Sequence, residues 1–362
     1  MIEKKQKRKN SLNKSCLLLG AILFVSATFH CTRDIERPLV EVFHAPETFS
    51  RRSGDLTANI AGSVSTDAAN ARYRINNSQW FNIRQDGYRV PPPLFTIELF
   101  SDQLSRGSNN LDIEVSAKNG DADTTVSIQF QYDPKPISLP KVVDWETTQL
   151  DVYDGRWEKI LHEDGSWRVR PKPGFEDYDR ILIVSGGFAE ARRIETDVIF
   201  RYRVGRKPYG FGLIPLWGGS PDDRNVTPRR GWRFGVGWYY SLKSGIGISY
   251  SYKYGNNIPT SLSSYFEFEP KKDTRYHLVM EAWPQENSES GMSRYQQRMK
   301  WWSEEEACPT EWIQLTDQEG ILSQHGEYAV ALLAHRCQVE FGPVRITSLT
   351  PEYVMTERRA LN

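Results

Sequence analysis

The segment from residue 231 to residue 254 combines many aromatic residues with many glycines. The aromatic residues are Trp232, Phe234, Trp238, Tyr239, Tyr240, Tyr250, Tyr252 and Tyr254, and the glycines are Gly231, Gly235, Gly237, Gly245 and Gly247. An α-helix would not tolerate this glycine content, so the sequence predicts extended strands. Because side chains alternate along a strand, Tyr250, Tyr252 and Tyr254 would share one face. Rings on a β surface either fill a core or stack against sugar rings, with their polar groups free for hydrogen bonds.

The composition is that of a globular chain without a basic surface. Of its 362 residues, 39% are hydrophobic and 12% are aromatic. This is enough to bury substantial cores, and the length allows two domains. The formal net charge is zero. Proteins that bind nucleic acids usually present a basic surface, so this balance argues against that class.

The N-terminus has the pattern of an export signal. Residues 1–27 hold six basic residues and one acidic residue, so the rest of the chain carries a formal charge near −5. The apolar run at residues 17–27 is too short to span a bilayer. Two endings remain open, cleavage after Ala27 or attachment of lipid at Cys31. Cys31 resembles the lipidated cysteine of bacterial lipoproteins in its position, which implies a signal over residues 1–31 and a membrane anchor. The chain is therefore predicted to be an outer-membrane or cell-surface lipoprotein, or to be secreted.

Cysteine usage bears on the same question. Only Cys31, Cys308 and Cys337 follow the apolar run. If Cys31 carries lipid, Cys308 and Cys337 remain as a pair in an oxidising compartment, which predicts a disulfide. Closing this loop of about 30 residues would stabilise the fold by about 3 kcal/mol if the effect is purely one of chain entropy. The alternative is two buried free thiols.

Residues 36–133 read as short strands separated by turn residues. The clearest hairpin signals are Asn76-Asn77 between residues 71–75 and 80–83, and Asn119-Gly120 between residues 107–117 and 124–132. About seven short strands in about 100 residues predict a β-sandwich. The residues Leu104, Gly107, Asn109, Leu111, Ile113, Ala117 and Gly120 form a pattern that resembles the closing strands of bacterial immunoglobulin-like modules. The resemblance implies an immunoglobulin-like domain, and such modules act as spacers or as binders.

A proline-rich linker at residues 134–143 separates this domain from residues 144–350. The second region contains roughly a dozen predicted strands, too many for one open sheet, so we predict two packed sheets. No helix of useful length is predicted, and residues 351–362 are assigned to a C-terminal tail.

Three parts of the second region resemble the concanavalin A-like lectin/glucanase jelly roll, the fold shared by laminin-G-type modules. These are residues 275–282, residues 298–302 with 309–312, and residues 326–332 with 339–347. The resemblance implies that residues 144–350 form a jelly roll. It also implies a family in which both lectins and glucanases occur.

The glucanases of this family use an E-x-D-x-x-E strand that carries two catalytic carboxylates. Glu195 and Asp197 match the start of that pattern, but Phe200 stands at the acid/base position. A retaining mechanism needs two carboxyl groups about 5–5.5 Å apart. The Glu195 strand cannot supply them alone, and we assign no catalytic residue.

Metal-binding signals are sparse. The histidines have no metal-ligand spacing. Asp222 and Asp223 lie in a predicted turn and could bind Ca²⁺, although two ligands are few for an ion that takes about six to eight oxygens. No other cofactor is predicted.

The aromatic residues remain the main indication of function. About half of the strand residues in a two-sheet fold face the core, and Trp232, Phe234 and Trp238 are assigned to it by their shared parity. The candidates for stacking on sugars are Trp217, Tyr250, Tyr252 and Tyr254. We therefore predict a non-catalytic protein that binds polysaccharide or glycan through the jelly roll. The alternatives are a polysaccharide hydrolase or lyase with an unrecognised site, and a structural or adhesive surface protein.

Overall fold

Strands form nearly all of the regular structure in the computed structural model of this chain. The structure describes residues 38–50, 56–83, 94–118, 124–135, 137–177, 179–188, 190–218, 237–240, 246–252, 259–267, 269–285, 293–314, 321–323 and 327–361. The described residues belong to one unit, residues 38–362. The predicted export signal and Cys31 lie outside them. The prediction of an all-β chain is confirmed.

The first part of the described chain is a sandwich of two sheets. Its strands are β1 (Val40–His44), β2 (Thr48–Ser50), β3 (Leu56–Val64), β4 (Ala68–Ile75), β5 (Phe81–Asn82), β6 (Leu94–Phe100), β7 (Gly107–Ala117) and β8 (Thr124–Asp133), with a 3₁₀ turn at Ser101–Gln103. One sheet has the order β1-β3-β6 and the other the order β2-β8-β7-β4-β5. Strands β2 and β8 pair in parallel, and the other pairs are antiparallel. The assignment of this sandwich to the immunoglobulin-like class stays a prediction.

Both hairpins predicted in the first sandwich are present. Tyr73 pairs with Phe81 across β4 and β5, and β7 pairs with β8 along most of its length. Asn76 and Asn77 follow β4 with φ values of 49° and 59°. Asparagine tolerates this left-handed conformation better than most residues, which explains why it marks the turn in the sequence.

The second part of the described chain is a larger sandwich. Its strands are β9 (Lys141–Val143), β10 (Asp151–Asp154), β11 (Trp157–Leu161), β12 (Trp167–Pro171), β13 (Asp179–Phe188), β14 (Arg192–Arg203), β15 (Gly210–Trp217), β16 (Gly237–Tyr240), β17 (Ile246–Tyr252), β18 (Pro259–Glu267), β19 (Arg275–Gln285), β20 (Ser293–Ser303), β21 (Ile313–Gln314), β22 (Ile321–Ser323), β23 (Tyr328–His335), β24 (Cys337–Phe341) and β25 (Val344–Ser348). Its small sheet has the order β10-β13-β23-β15-β16. Its large sheet has the order β11-β12-β24-β14-β19-β20-β21, with β25 paired to β14, β9 to β25 and β22 to β20. Strands β17 and β18 pair with each other. The two packed sheets predicted for this region are therefore present.

The main core lies between the small and large sheets. Ile194 and Val198 of β14 reach into it from the large sheet, and Leu182 and Leu332 reach into it from the small sheet. All four side chains are fully buried. Because the side chains of a strand alternate, the odd-numbered residues of β14 before residue 199 point to the opposite, outer face of the large sheet.

The outer face of the small sheet is also buried. Tyr153, Ile183 and Trp217 form a second apolar cluster there, and Phe100 of the first sandwich belongs to the same cluster. Hydrogen bonds join the sandwiches beside it. The Tyr153 hydroxyl donates to Glu98 Oε1 at 2.9 Å, and the backbone N–H of Val152 donates to His44 Nε2 at 3.1 Å. This face is therefore closed to a ligand at these positions.

The predicted C-terminal tail is a helix, α1 (Pro351–Leu361), so the prediction that the chain has no useful helix is wrong. The backbone N–H of Tyr353 donates to Thr350 Oγ1 at 3.2 Å, which makes Thr350 the N-cap, and proline suits the next position. The Tyr353 hydroxyl donates to Glu281 Oε2 at 2.9 Å on the outer face of the large sheet. Among the described residues, no helix is long and apolar enough to cross a membrane.

The predicted disulfide between Cys308 and Cys337 is absent, and both thiols are free. Cys337 is fully buried in the main core at the start of β24, and its thiol donates to the carbonyl of Gly210 at 3.2 Å. Cys308 lies exposed between β20 and β21. The prediction failed because a side chain that points between two sheets cannot reach an exposed loop.

Alkylation of the native protein is expected to modify Cys308 and to spare Cys337. Burial raises the pKa of the Cys337 thiol to about 12, which suppresses the reactive thiolate. Treatment with N-ethylmaleimide followed by peptide mass mapping checks this, and unfolding in urea should expose both thiols. A peptide pair linked by a disulfide would contradict the structure.

Candidate functional site

A cleft of about 410 Å³ opens on the outer face of the large sheet. Its lining residues are Glu195, Thr196, Asp197, His277, Val279, Trp302, Pro343 and Arg345. They come from β14, β19, β20 and β25, which lie side by side, and from the turn before β25. The volume falls within the range of about 300–1,000 Å³ that is usual for small-molecule sites.

An aromatic platform forms one side of this cleft. Trp302 lies directly across from His277 in the pairing of β20 with β19, and their rings stack with centroids 5.1 Å apart and an interplanar angle of 26°. Both side chains are partly exposed. The preceding residue, Trp301, is 8% exposed and faces the main core, because adjacent residues of a strand point to opposite faces.

Asp197 is held in a fixed position beside the platform. Its Oδ1 lies 2.5 Å from Nη1 of Arg168 and 3.5 Å from Nε of Arg275. The Arg168 side chain is 1% exposed, and its Nη2 also donates to the carbonyl of Asp197 at 3.2 Å. A hydrogen bond with Asp164 raises the pKa of Arg275, so this second guanidinium stays charged. A buried guanidinium requires its counter-charge, so Asp197 serves the fold as well as the cleft.

The turn at Gly342 fits closely against Asp197. The Gly342 N–H donates to the carbonyl of Asp197 at 2.8 Å, and its own carbonyl accepts from Trp145 Nε1 at 2.7 Å. A Cβ atom at this position would lie 2.2 Å from Asp197 Oδ2. Glycine is therefore required here by the close approach of the carboxylate.

Replacing Gly342 with alanine is expected to disturb both the fold and the cleft. Hydrogen bonds from Trp145 and to the carbonyl of Asp197 hold the backbone of residue 342 in place, so the Asp197 carboxylate must move and weaken its pair with Arg168. Overpacking of this kind destabilises a protein by about 1–3 kcal/mol. Urea unfolding of the Gly342→Ala variant measures the loss, and an unchanged midpoint would show that the carboxylate is not held against this turn.

Glu195 and Arg345 form the other side of the cleft. They lie opposite each other in the pairing of β14 with β25. The Glu195 carboxylate pairs instead with Arg193, whose Nε lies 3.0 Å from Oε1. Glu195 is 40% exposed, so its carboxylate stays accessible to a ligand.

This arrangement combines an aromatic surface with several hydrogen-bonding groups. The rings of Trp302 and His277 offer a flat face for the C–H groups of a ligand. The Glu195 and Asp197 carboxylates accept hydrogen bonds from hydroxyl groups, and the Arg345 guanidinium donates them. A ligand that is apolar on one face and rich in hydroxyls at its edge matches this set.

The arrangement does not have the form of the glucanase strand. Phe200, at the position of the acid/base carboxylate, is 7% exposed in the main core and stacks on Tyr209 and Phe211. Glu195 and Asp197 lie on the opposite face of β14, and guanidinium groups engage both. Within the described part of the chain, no group of three or more metal-ligating side chains comes together.

Trp217 was predicted to stack on sugars, and this prediction is wrong. Its side chain is fully buried in the cluster that joins the two sandwiches, where it makes an edge contact with Tyr153 at 4.8 Å between ring centroids. The Gly and Pro residues around it suggested an exposed loop. Residue 217 instead ends β15, and the first sandwich closes that side of the small sheet.

The other predicted site residues fall largely outside the described residues. The backbones of Tyr250 and Tyr252 belong to β17, which pairs with β18, but their side chains lie outside the described part. Tyr254 and the calcium candidates Asp222 and Asp223 also lie outside it, as do Trp232 and Phe234. Their assignments stay predictions.

Of the eight lining residues, only Glu195 and Asp197 were considered as site residues from the sequence. The six that were missed include the aromatic and cationic side chains of His277, Trp302 and Arg345. One signal for Trp302 was available. Two adjacent tryptophans on a strand cannot both face the core, so one of Trp301 and Trp302 had to lie on the outer face.

Comparison with known proteins does not assign this chain to a family. No family model and no curated protein sequence matches the chain. The chain is similar in structure to the carbohydrate-binding module CBM66 from Bacillus subtilis, at 14% identity over 56% of this chain and 96% of that chain, with a TM-score of 0.33. It is also similar to the carbohydrate recognition domain of Emp46p, at 11% identity over 54% and 88% of the two chains and a TM-score of 0.36. A carbohydrate esterase from the Shiga toxin-encoding bacteriophage phi24B is similar at 9% identity over 57% and 92%, with a TM-score of 0.33. Similarity at this level does not identify a function.

Proposed function

We propose that this chain is a non-catalytic protein that binds carbohydrate in the cleft on the outer face of the large sheet. A sugar ring stacks on Trp302, and the carboxylates of Glu195 and Asp197 accept hydrogen bonds from its hydroxyls. The observation that carries the proposal is the partly exposed Trp302–His277 stack beside two carboxylates in one cleft.

The surroundings of the cleft support a binding site whose side chains are already oriented in the free protein. Arg168 and Arg275 hold Asp197, and Arg193 engages Glu195, so the hydrogen-bonding groups are oriented before a ligand arrives. The cleft is built on adjacent strands of a rigid sheet rather than on a loop. Preorganisation of this kind reduces the conformational entropy lost on binding.

We also propose that the protein is exported, on the basis of its basic and apolar N-terminal sequence. In one form Cys31 carries lipid and anchors the chain, and in the other the chain is cleaved after Ala27 and secreted. Mass spectrometry of the mature N-terminus distinguishes the two, because a lipid adds a mass that the cleaved form lacks.

Incubation of the protein with a panel of polysaccharides tests the proposed function. Retention by one of them without release of soluble sugars is the expected result. Retention lost in the Trp302→Ala variant would place the binding in this cleft. If the protein neither retains a polysaccharide nor releases soluble sugars, the structural or adhesive role becomes the better account.

The runner-up function is cleavage of a polysaccharide by the same cleft, since Glu195 and Asp197 are two carboxylates on one surface. It ranks lower because both carboxylates are engaged by arginines and the third carboxylate of the glucanase pattern is replaced by Phe200. Release of soluble sugars that is lost in the Glu195→Gln and Asp197→Asn variants would establish cleavage instead.

A further inference from the structure

Within the described part of the chain, Arg345 is an arginine on the outer face of the large sheet that has no acidic partner. Six arginines on this face form ion pairs with carboxylates within 4.0 Å, namely Arg168, Arg170, Arg193, Arg201, Arg275 and Arg298. Among the residues that the structure describes, no carboxylate lies within that distance of Arg345. The Arg345 guanidinium is exposed and lines the cleft.

The missing ion pair is not explained by a lack of acidic neighbours. Glu195 lies directly opposite Arg345 across β14 and β25, but its carboxylate pairs with Arg193 on its own strand. The other carboxylate of the cleft, Asp197, pairs with Arg168 and Arg275. Both carboxylates that line the cleft beside Arg345 are therefore paired with other arginines, and no described carboxylate balances the charge of Arg345.

The position of Arg345 relative to the aromatic platform sets the size of the ligand. Arg345 is on β25 and Trp302 is on β20, with β14 and β19 between them. Adjacent strands lie about 4.8 Å apart, so the two residues are separated by roughly 14 Å across the sheet. A short oligosaccharide spans this separation, so that different rings of one ligand can contact the two residues. Val142, next to Arg345 on β9, is 57% exposed and offers an apolar surface at the same end.

We propose that the ligand of this cleft is an anionic oligosaccharide. One ring stacks on Trp302, and a carboxylate or sulfate group on another ring pairs with Arg345. The planar guanidinium matches such groups because it can donate two parallel hydrogen bonds to their oxygens. This inference rests on the proposed function and adds the chemical class of the ligand.

Calorimetric titration of the full chain with paired oligosaccharides tests the inference. The probes are trisaccharides of galacturonate, glucuronate and mannuronate, each compared with its neutral methyl ester, and sulfated maltotriose compared with maltotriose. We expect at least one charged probe to bind about tenfold or more tighter than its neutral partner, as hydrogen bonds to charged groups usually give. Preference for a uronate identifies the anion as a carboxylate, and preference for sulfated maltotriose identifies it as a sulfate.

The Arg345→Gln variant is expected to abolish this preference, so that the charged and neutral members of each pair bind it with equal affinity. Arg345→Lys should retain part of the preference for the charged probe, because lysine keeps the positive charge but lacks the planar guanidinium that donates two parallel hydrogen bonds. Arg206→Gln is the matched control, since Arg206 is an exposed arginine in the turn after β14, outside the cleft lining. It should leave the preference intact.

The outcomes separate this inference from the proposed function. Equal binding of charged and neutral probes, or a preference that survives in Arg345→Gln, would overturn the inference. If Trp302→Ala still abolished binding in that case, the proposed function would stand. Failure of every probe to bind the native protein would overturn the inference, and the polysaccharide panel would then decide the proposed function separately.

Discussion

Replacing Trp302 with alanine is expected to weaken saccharide binding by about 30-fold or more, which is the loss typical of a central aromatic contact at a binding site. The variant removes the ring that stacks on His277 and forms the side of the cleft. It leaves the main core intact, because Trp301 and not Trp302 faces that core. Calorimetric titration with the saccharide retained in the polysaccharide panel measures the effect.

The matched control for Trp302 is Trp80 in the first sandwich. Trp80 is also partly exposed, and the guanidinium carbons of Arg72 and Arg74 lie 4.8 Å and 4.7 Å from its ring centroid. Trp80→Ala should leave saccharide binding unchanged. A loss of binding in Trp80→Ala but not in Trp302→Ala would place the ligand on the first sandwich and contradict the proposed site.

Replacing Trp217 with alanine is expected to destabilise the protein by about 3–5 kcal/mol, the usual range for removal of a buried tryptophan or phenylalanine side chain. Trp217 is fully buried in the cluster that contains Phe100 of the first sandwich and Ile183 of the second. The cavity left behind would lie where the two sandwiches meet. The free energy of unfolding in urea, followed by intrinsic fluorescence, measures the loss.

Trp217→Phe distinguishes packing from hydrogen bonding at the same position. The Trp217 Nε1 atom is buried, and none of the described residues accepts a hydrogen bond from it. Phenylalanine keeps most of the apolar volume, so its destabilisation should be much smaller than that of alanine. Both variants should bind saccharide like the native protein at temperatures where they remain folded. A Trp217→Ala variant that is stably folded but fails to bind saccharide would instead support the sequence-based assignment of Trp217 to the binding site.

The strands were predictable from the sequence because their signals are local. Residues 107–117 alternate apolar and polar side chains, and β7 buries Leu111, Ile113 and Val115 completely. The Asn76-Asn77 turn was predictable because asparagine tolerates positive φ. Helix α1 was also marked locally, by a threonine followed by a proline at residues 350 and 351, but the short segment was treated as a tail.

The burial of Trp217 could not be predicted, because it depends on contacts distant in sequence. The hydrogen bond from Tyr153 to Glu98 and the packing of Phe100 bring the first sandwich onto the small sheet. Neither contact leaves a periodic pattern in the sequence. The absence of the Cys308–Cys337 disulfide has the same origin, since the spacing of two cysteines does not tell which of them faces a core.

The cleft was partly visible in the sequence. The Glu195 and Asp197 pair was noticed for its resemblance to a catalytic strand, and the structure places both carboxylates in the cleft. Arg168 forms an ion pair with Asp197, and Arg345 lies opposite Glu195 in the strand register. Both arginines are on strands other than β14, so only the sheet order brings them to the cleft. The pairing of strands, which sequence alone does not give, is what assembles the site.

The most direct test of the proposed site is the response of the tryptophan indole N–H signals to saccharide, recorded by NMR on protein labelled with ¹⁵N-tryptophan. The Trp302→Phe variant identifies the signal of Trp302 among the 11 tryptophans of the chain. Addition of the retained saccharide should shift or broaden the Trp302 signal and leave those of Trp80 and Trp217 in place. A Trp302 signal that does not change while the saccharide is bound would contradict the account.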